Sequence, residues 1–487
     1  MDNSGGIYRI AFINILIIQI VIFSCLPLVH MMNDSGWYFM NVHFVNTGTY
    51  INESRYPSFS EPSQYYPFLG YSVFLFLCDQ LASLFHISAV YIIKYAQLLL
   101  YVLSAIWVVK IMQAVTNRIS FSYMIGILFL LYYPYFNYTN LVMSEMYATF
   151  FVLFTIYLFT RFQVDENKIT LTVLCLSAGY LMLIKPVLLP ATLCLALLLL
   201  IKFIYAQKYK QILFILLILV APLFQMGFSE THYGNSKIQS GLGWHLWDRV
   251  IFHDQNIPKN SKHWKALEEI YASHQKIIPI GYWWDIAKDL SEFGYSESET
   301  NMICERIAFD AIANRPFYYI QNTLMMCYEN FLQLNSYNAV YAHYEEYINE
   351  IENFSNEQQH KPLTDELLKQ KKQDVHPMLE SIISFNFKLA EKSERIYLVF
   401  HNSFVFILFI ITGFISNYKL ISSRFKKNQI EWLIWITACA ILFGSNMAEY
   451  SQARLMLPAV ILIVMSIGIE IEKLFSLYQI KKNTSIN

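Results

Sequence analysis

Charged residues are scarce in this sequence: Asp, Glu, Lys and Arg make up only 15% of its 487 residues, whereas a soluble domain typically has about 25%. The 35 basic and 36 acidic residues leave a net charge of −1. The chain therefore lacks the basic excess of a nucleic-acid-binding protein. Hydrophobic residues make up 55%, which excludes a disordered chain and an ordinary cytosolic enzyme. This composition indicates an integral membrane protein.

Cysteine is also scarce, with seven residues. Those in apolar runs are interpreted as small core residues: Cys25, Cys78, Cys175, Cys194 and Cys439. Only Cys304 and Cys327 lie in polar sequence, so we expect at most one disulfide and no disulfide framework. Internal repeats and low-complexity tracts are absent, and without two similar halves a typical secondary transporter is disfavoured.

Long apolar runs, by contrast, are abundant. A membrane helix needs about 20 mostly apolar residues, and the segments that satisfy this are 8–30, 89–113, 120–137, 142–162, 169–186, 187–204, 211–228, 396–416, 430–446 and 455–473. The sequence therefore predicts an all-α polytopic membrane protein with about ten transmembrane helices.

A shorter apolar stretch, 71–86, contains Asp79 and decides the topology. If it does not cross the membrane, the short loops of one side carry fifteen Lys and Arg residues and those of the other side carry four. If it crosses, this asymmetry is lost. Because basic residues concentrate in cytoplasmic loops, we interpret 71–86 as a re-entrant or juxtamembrane helix, with both termini cytoplasmic.

The resulting prediction has three parts. Residues 1–228 form a seven-span transmembrane module that includes an outer loop, 31–70. Residues 229–395 form a mainly helical extracytoplasmic domain, and residues 396–487 form three further spans and a cytoplasmic tail.

Ionisable residues collect on the predicted outer side, where they are costly within a bilayer and are often retained for function. The acids are Asp34 after the first span and Glu145 at the start of the fourth. The cations are Lys94, Lys185 and Arg454, each at the end of a span. Glu145 alone would suit a helix N-terminus, and each cation alone could reach the headgroups. Together they favour a site for an anionic lipid headgroup and a proton transfer.

Several short motifs follow one another along the chain. They are an acid and an aromatic after the first span (Asp34, Tyr38), Tyr66-Pro67 and Gly70-Tyr71, Lys94 with Gln97, Glu145, Lys185-Pro186, the segment Gly241 to Trp247, Asn314 with Pro316, and Arg454 with Pro458. In this layout the chain resembles the GT-C superfamily of membrane glycosyltransferases. It is similar in particular to the branch of protein O-mannosyltransferases and lipid A aminoarabinose transferases. Many members have Asp and Arg where this chain has Glu145 and Lys185, and Tyr66-Pro67 replaces a pair of prolines.

The resemblance implies a sugar donor linked through phosphate to a polyprenyl or dolichyl chain, and an acceptor that is a glycan, a lipid or a protein. Asp34 would be the general base of an inverting transfer. Glu145 would position the acceptor or share a divalent metal, Mg or Mn, with Asp34. The remaining roles are donor phosphate binding by Lys185, Arg454, Arg55 and Lys94, and sugar or acceptor binding by Tyr38, His43, Tyr66, Trp244 and His245.

We expect a bacterial inner membrane, with the site facing the periplasm. Two alternatives remain. The first is a flippase or transporter of a lipid-linked saccharide. The second is a surface-polysaccharide polymerase or ligase with a diphosphate-linked donor, for which His232, His245 and Arg249 in the large outer segment are candidates.

Overall fold

The computed structural model describes residues 4–25, 42, 69–87, 89–116, 118–233, 241–332, 401–423, 428–447 and 456–484. The elements in these ranges are helices. The protein is an all-α polytopic membrane protein, so the fold class predicted from the sequence is confirmed. The predicted boundaries of the three parts stay predictions.

The helices of the N-terminal part precede the first large change in composition. They are α1 (Ser4–Cys25), α2 (Leu69–Phe85), α3 (Ala89–Thr116), α4 (Ile119–Leu131), α5 (Tyr133–Thr139), α6 (Ser144–Asp165), α7 (Lys168–Ile184), α8 (Leu189–Tyr205), α9 (Tyr209–Ile215) and α10 (Val220–Tyr233). A 3-10 turn, Pro186–Leu188, precedes α8, and another, Leu216–Leu219, joins α9 to α10.

Shorter helices follow in the predicted outer segment, and three long ones end the chain. The shorter ones are α11 (Leu242–Leu246), α12 (Lys262–Ser273), α13 (Trp283–Glu292), α14 (Glu297–Asn314) and α15 (Pro316–Leu332), with a π-helical stretch, Trp247–His253, after α11. The long ones are α16 (Ser403–Ser422), α17 (Gln429–Met447) and α18 (Leu457–Thr484).

Seven helices of the described chain are long and apolar enough to cross a membrane, and the bent pair α4–α5 would make an eighth. The other two predicted spans also form helices. The segment 169–186 corresponds to α7, which has 17 residues. The segment 455–473 overlaps α18, whose middle carries Glu470, Glu472 and Lys473. The predicted juxtamembrane stretch 71–86 is helix α2, also 17 residues long. An ideal helix of that length spans roughly 25 Å.

The segment 120–137 is not one straight helix. It breaks at Tyr132, and α4 and α5 meet at 58°. Pro134 lies in the first turn of α5. Proline lacks a backbone N–H, so it is tolerated at the start of a helix but interrupts a longer one. The bend turns α5 across the end of the bundle and delivers the chain to the start of α6.

The apolar core of the bundle forms where α3 packs against α4 and α6, α6 against α7, and α17 against α8 and α18. The outer helices have a second core of their own, in which the Trp244 ring stacks on Trp283 at a centroid distance of 4.4 Å. Cys304 and Cys327 are both buried free thiols, so no disulfide joins them.

The outer core also contains a carboxyl group with a perturbed pKa. Burial raises the pKa of Asp248 from 3.8 to about 7, against the effect of the backbone N–H of Trp283, and the nearby Asp285 raises it further. The Trp283 N–H donates to Asp248 Oδ1 at 2.6 Å. The folded chain therefore holds a proton here that the unfolded chain releases.

We expect Asp248→Asn to change the pH dependence of stability. Between pH 3.8 and about 7 the folded state binds more protons than the unfolded state at this site, so the Asp248 contribution falls as pH rises. The Asp248→Asn variant does not lose stability in this way. Its Tm, measured by near-UV circular dichroism, should therefore rise relative to the Tm of the parent protein as pH increases through that window. Glu269→Gln, at an exposed position of α12, is the control. If the difference in Tm between Asp248→Asn and the parent protein were the same at every pH in this window, the raised pKa of Asp248 would be contradicted.

Candidate functional site

Two of the predicted site residues, Glu145 and Lys185, form a buried ion pair. Lys185 Nζ lies 2.7 Å from Glu145 Oε1. Glu145 is 1% exposed and Lys185 is 7% exposed. Charges are costly to bury without a partner, so the attraction between these two groups offsets part of the cost of burying them.

The local sequence explains why these side chains meet. Glu145 lies in the first turn of α6, where the helix dipole favours an acid. Lys185 caps the C-terminal end of α7, directly before Pro186, and helices commonly end before a proline. The helices are consecutive, and Glu166 with a positive φ of 45° lies in the short turn between them. The start of α6 and the end of α7 therefore lie at the same end of the bundle.

A buried glutamine fixes the chain that leads into Glu145. Gln97 Nε2 donates to the carbonyl of Thr139 at 2.7 Å and to that of Leu141 at 2.9 Å. The Tyr71 hydroxyl donates to Gln97 Oε1 at 2.6 Å. Gln97 thus joins α2 and α3 to the turn between α5 and α6. A glutamine within an apolar span can be recognised in the sequence as an unusual polar residue, but the sequence does not identify its hydrogen-bond partners.

The start of α2 packs tightly on the end of α7 that carries Lys185. A Cβ at Gly70 would come within 2.6 Å of the carbonyl carbon of Leu183, so only glycine allows this approach. The Tyr180 hydroxyl donates to the Gly70 carbonyl at 2.6 Å. The Gly70-Tyr71 motif therefore brings α2 against α7 and supplies the phenol that holds Gln97.

The described ends of two other segments gather at this end of the bundle. At the end of α1, the Phe23 ring lies 5.4 Å from Lys94 Nζ and 5.9 Å from the ring of Phe136 in α5. At the start of α18, the Tyr135 hydroxyl donates to the carbonyl of Leu457 and accepts from the N–H of Ile461, both at 2.9 Å. The end of α1 and the start of α18 therefore both lie close to α5.

The other predicted site residues divide into two groups. Lys94 is buried, and its Nζ lies 5.4 Å from the centroid of the Phe23 ring. Outside the described residues lie Asp34, Tyr38, His43, Arg55, Tyr66 and Arg454. Their roles stay predictions.

The predicted sugar- or acceptor-binding residues of the outer segment are largely shielded from solvent. Trp244 is a buried part of the outer core, and His245 beside it is half-buried. The His232 side chain lies outside the described residues. The sugar- or acceptor-binding roles of Trp244 and His245 stay predictions.

Arg249, a candidate in the polymerase alternative, is fully buried and joins the outer helices to α17. It forms an ion pair with Asp254, its Nε donates to the carbonyl of Asn446 at 3.1 Å, and its Nη2 donates to Thr323 Oγ1 at 3.2 Å. These contacts assign the guanidinium a structural function in holding the two parts of the protein together. The sequence shows an arginine at position 249, but it does not show that this side chain joins the outer helices to α17.

A divalent metal shared by Asp34 and Glu145 stays a prediction, because Asp34 lies outside the described residues. A metal site needs several oxygen or nitrogen ligands, whereas a Lys185 ammonium already contacts one carboxylate oxygen of Glu145. Within the described ranges, His, Cys, Asp and Glu form no group of three or more that could hold an ion. We therefore derive no step through a metal.

Comparison with family models and with curated proteins finds no match. Among solved structures, the chain is similar to the Archaeoglobus fulgidus oligosaccharyltransferase in complex with Zn and sulfate, with 11% identity, a TM-score of 0.40, and 94% of this chain and 48% of that one covered. The structure of AglB from the same organism, with an inhibitory peptide and a dolichol-phosphate, aligns at 11% identity and a TM-score of 0.39, covering 98% of this chain and 52% of that one.

ArnT from Cupriavidus metallidurans bound to undecaprenyl phosphate aligns at 12% identity and a TM-score of 0.35, covering 95% of this chain and 78% of that one. AglB and ArnT are GT-C superfamily membrane glycosyltransferases, the superfamily whose motifs this sequence resembles. The chain spans about half the length of the archaeal enzyme. At these identities and TM-scores the alignments assign no residue role to this chain.

Separating the buried pair should destabilise the protein. Lys185→Met removes the ammonium from the buried Glu145 carboxylate, and breaking a buried pair in this way costs about 3–5 kcal/mol. The double variant Lys185→Met/Glu145→Gln should recover most of this loss, as measured by thermal unfolding of the purified protein. Lys168→Met, at the exposed opposite end of α7, should leave the Tm unchanged. Equal effects of Lys185→Met and Lys168→Met would show that the pair does not stabilise the fold.

Proposed function

We propose that this protein is a membrane glycosyltransferase that moves a sugar from a polyprenyl-phosphate-linked donor to a glycan, lipid or protein acceptor on the extracytoplasmic side. The observation that carries the proposal is the buried Lys185–Glu145 pair. Three further motif residues, Gly70, Tyr71 and Gln97, lie in the elements that surround this pair. Such a donor has its lipid chain within the bilayer and its charged phosphate at the membrane surface, which matches a cation held at the end of an apolar bundle.

The order of the contacts supports this assignment. Gly70 and Tyr71 of one motif, Gln97 of the next, and Lys185 of another are joined to the turn before Glu145 by the hydrogen bonds and close packing of α2, α3, α5 and α7. Residues that are far apart in the sequence, and that match one family pattern, thus share one region of the fold.

The proposed reaction is a single displacement. Asp34 accepts the proton of the acceptor hydroxyl, and that oxygen forms a bond to the anomeric carbon of the sugar. The bond from the anomeric carbon to the phosphate oxygen breaks at the opposite face, so the configuration inverts. The electron pair leaves with the lipid phosphate, whose developing charge needs cationic partners.

Lys185 and Arg454 are the proposed partners of that phosphate, with Arg55 and Lys94 as further candidates. An ammonium has three N–H donors, so Lys185 can bind a phosphate oxygen while it stays bound to Glu145. Glu145 then serves to hold the ammonium at a fixed position. Arginine at position 454 could bind two phosphate oxygens at once.

The remaining features define the setting of the reaction. Loop 31–70, with Tyr38, His43 and Tyr66, and the segment with Trp244 and His245 would enclose the sugar and the acceptor. We place the site on the periplasmic side of a bacterial inner membrane, because basic residues concentrate in the loops of the opposite side.

The general-base assignment predicts a large loss of activity for Asp34→Asn. Removing a general base lowers the rate by roughly 10²–10⁴-fold. Transfer should be measured in proteoliposomes that contain the whole chain, with a radiolabelled monosaccharyl polyprenyl phosphate as donor. Asp165→Asn, at the exposed end of α6 opposite to Glu145, is the matched control. Near-normal turnover of Asp34→Asn would defeat the assignment.

The same assay separates this proposal from the alternatives. A transferase of the proposed type uses the monosaccharyl phosphate donor, whereas a polymerase or ligase of the second type uses only a diphosphate-linked oligosaccharide. A transporter moves the intact lipid-linked saccharide across the bilayer and forms no new glycosidic bond.

The phosphate assignment predicts that Lys185→Ala lowers the transfer rate by about 100-fold or more, since loss of one donor to a developing anion has that effect. Lys168→Ala removes the same side chain from the opposite end of the same helix and should behave like the parent protein. An unchanged rate and unchanged apparent KM for the lipid donor in Lys185→Ala would remove Lys185 from the site.

A further inference from the structure

Helix α15 has large apolar side chains on its outward face. Its inward face is buried against the protein and combines apolar residues such as Met326 and Phe331 with the polar Thr323 and Asn330. The outward apolar and aromatic side chains are Phe317, Tyr318, Ile320, Leu324, Met325 and Tyr328, among which Gln321 and Glu329 are also exposed. Phe317 is 85% exposed and Leu324 is 56% exposed. A largely apolar exposed face of this kind is unusual on a water-soluble surface.

The inner face of α15 is fixed to the end of a membrane-spanning helix. The Tyr319 hydroxyl donates to the carbonyl of Met447 at 2.5 Å, and Cys327 Sγ donates to that of Leu442 at 3.2 Å. Both carbonyls belong to the last turns of α17, which is long and apolar enough to span a membrane. Helix α15 is therefore held at the depth where α17 ends.

The outer face of α15 continues onto a second spanning helix. The hydroxyls of Tyr328 and Ser403 are 2.8 Å apart at the start of α16. The Tyr328 ring also lies 5.4 Å from that of Phe406. Nearby on α16, Phe404 and Ile407 are exposed, as lipid-facing residues of a span are. The apolar surface of α15 thus joins the surface that α16 presents to lipid.

We propose that α15 is a membrane-interface helix and that its outward face contacts the acyl chains and glycerol region of the bilayer. The leaflet is the one on the side of the membrane that carries residues 241–332. Interfacial helices bury their apolar face about 5–10 Å into this boundary. The exposed Arg315, directly before the helix, would reach the headgroup phosphates. Bilayer lipid is the occupant that this surface fits, because the surface is continuous with that of α16.

Photo-crosslinking of the whole chain in lipid nanodiscs tests this inference. p-Benzoylphenylalanine is placed at Phe317 or Leu324, two exposed positions that tolerate a large side chain. The control is Lys265, which is exposed on the polar helix α12. With nanodiscs of phosphatidylethanolamine and phosphatidylglycerol, we expect several-fold more protein–lipid adduct at Phe317 and Leu324 than at Lys265, measured by mass spectrometry.

Two results would overturn the inference. If lipid adducts at Phe317 and at Leu324 are no more frequent than at Lys265, the outward face of α15 lies in water. Adducts between two protein chains, in nanodiscs loaded with more than one copy, would identify the face as a contact between copies. The readout does not depend on sugar transfer, so it stands or fails independently of the proposed function.

Discussion

The Lys185–Glu145 ion pair is the interaction on which the arrangement of the N-terminal bundle depends. Two opposite charges in an apolar interior must remain together, and here they occupy the adjoining ends of α6 and α7. The bend at Tyr132, the tight approach at Gly70 and the hydrogen bonds of Gln97 all act on the same small region. The fold thereby keeps a positive charge at the end of the bundle.

Most of the helical architecture could be predicted from the sequence, because the length of an apolar run is a strong and local signal. Within the described residues, each of the ten predicted spans contains at least one helix. The exception in shape is the segment 120–137, where Pro134 interrupts the helix. Proline in a span does not specify whether the chain kinks slightly or turns by 58°, because neighbouring helices determine the angle.

The candidate site was only partly predictable. Glu145 and Lys185 were recognisable as costly charges near a bilayer, but their pairing depends on the turn at Glu166 and on packing between α6 and α7. The function of Gln97 depends on carbonyl groups more than forty positions away, which no local pattern encodes. Arg249 had been a catalytic candidate in one alternative, and only the fold reveals that Asn446 and Thr323 bind it.

The buried guanidinium of Arg249 has a consequence for how the outer helices can be studied. Its partners come from α15 and from the end of α17, and Met447 of α17 packs on the outer core. A recombinant fragment limited to residues 241–332 would lose Asn446 and would expose the surface, including Arg249, that α17 normally covers. Such a fragment would be a poor candidate for soluble expression, and ligand screening is better carried out on the intact protein in a bilayer.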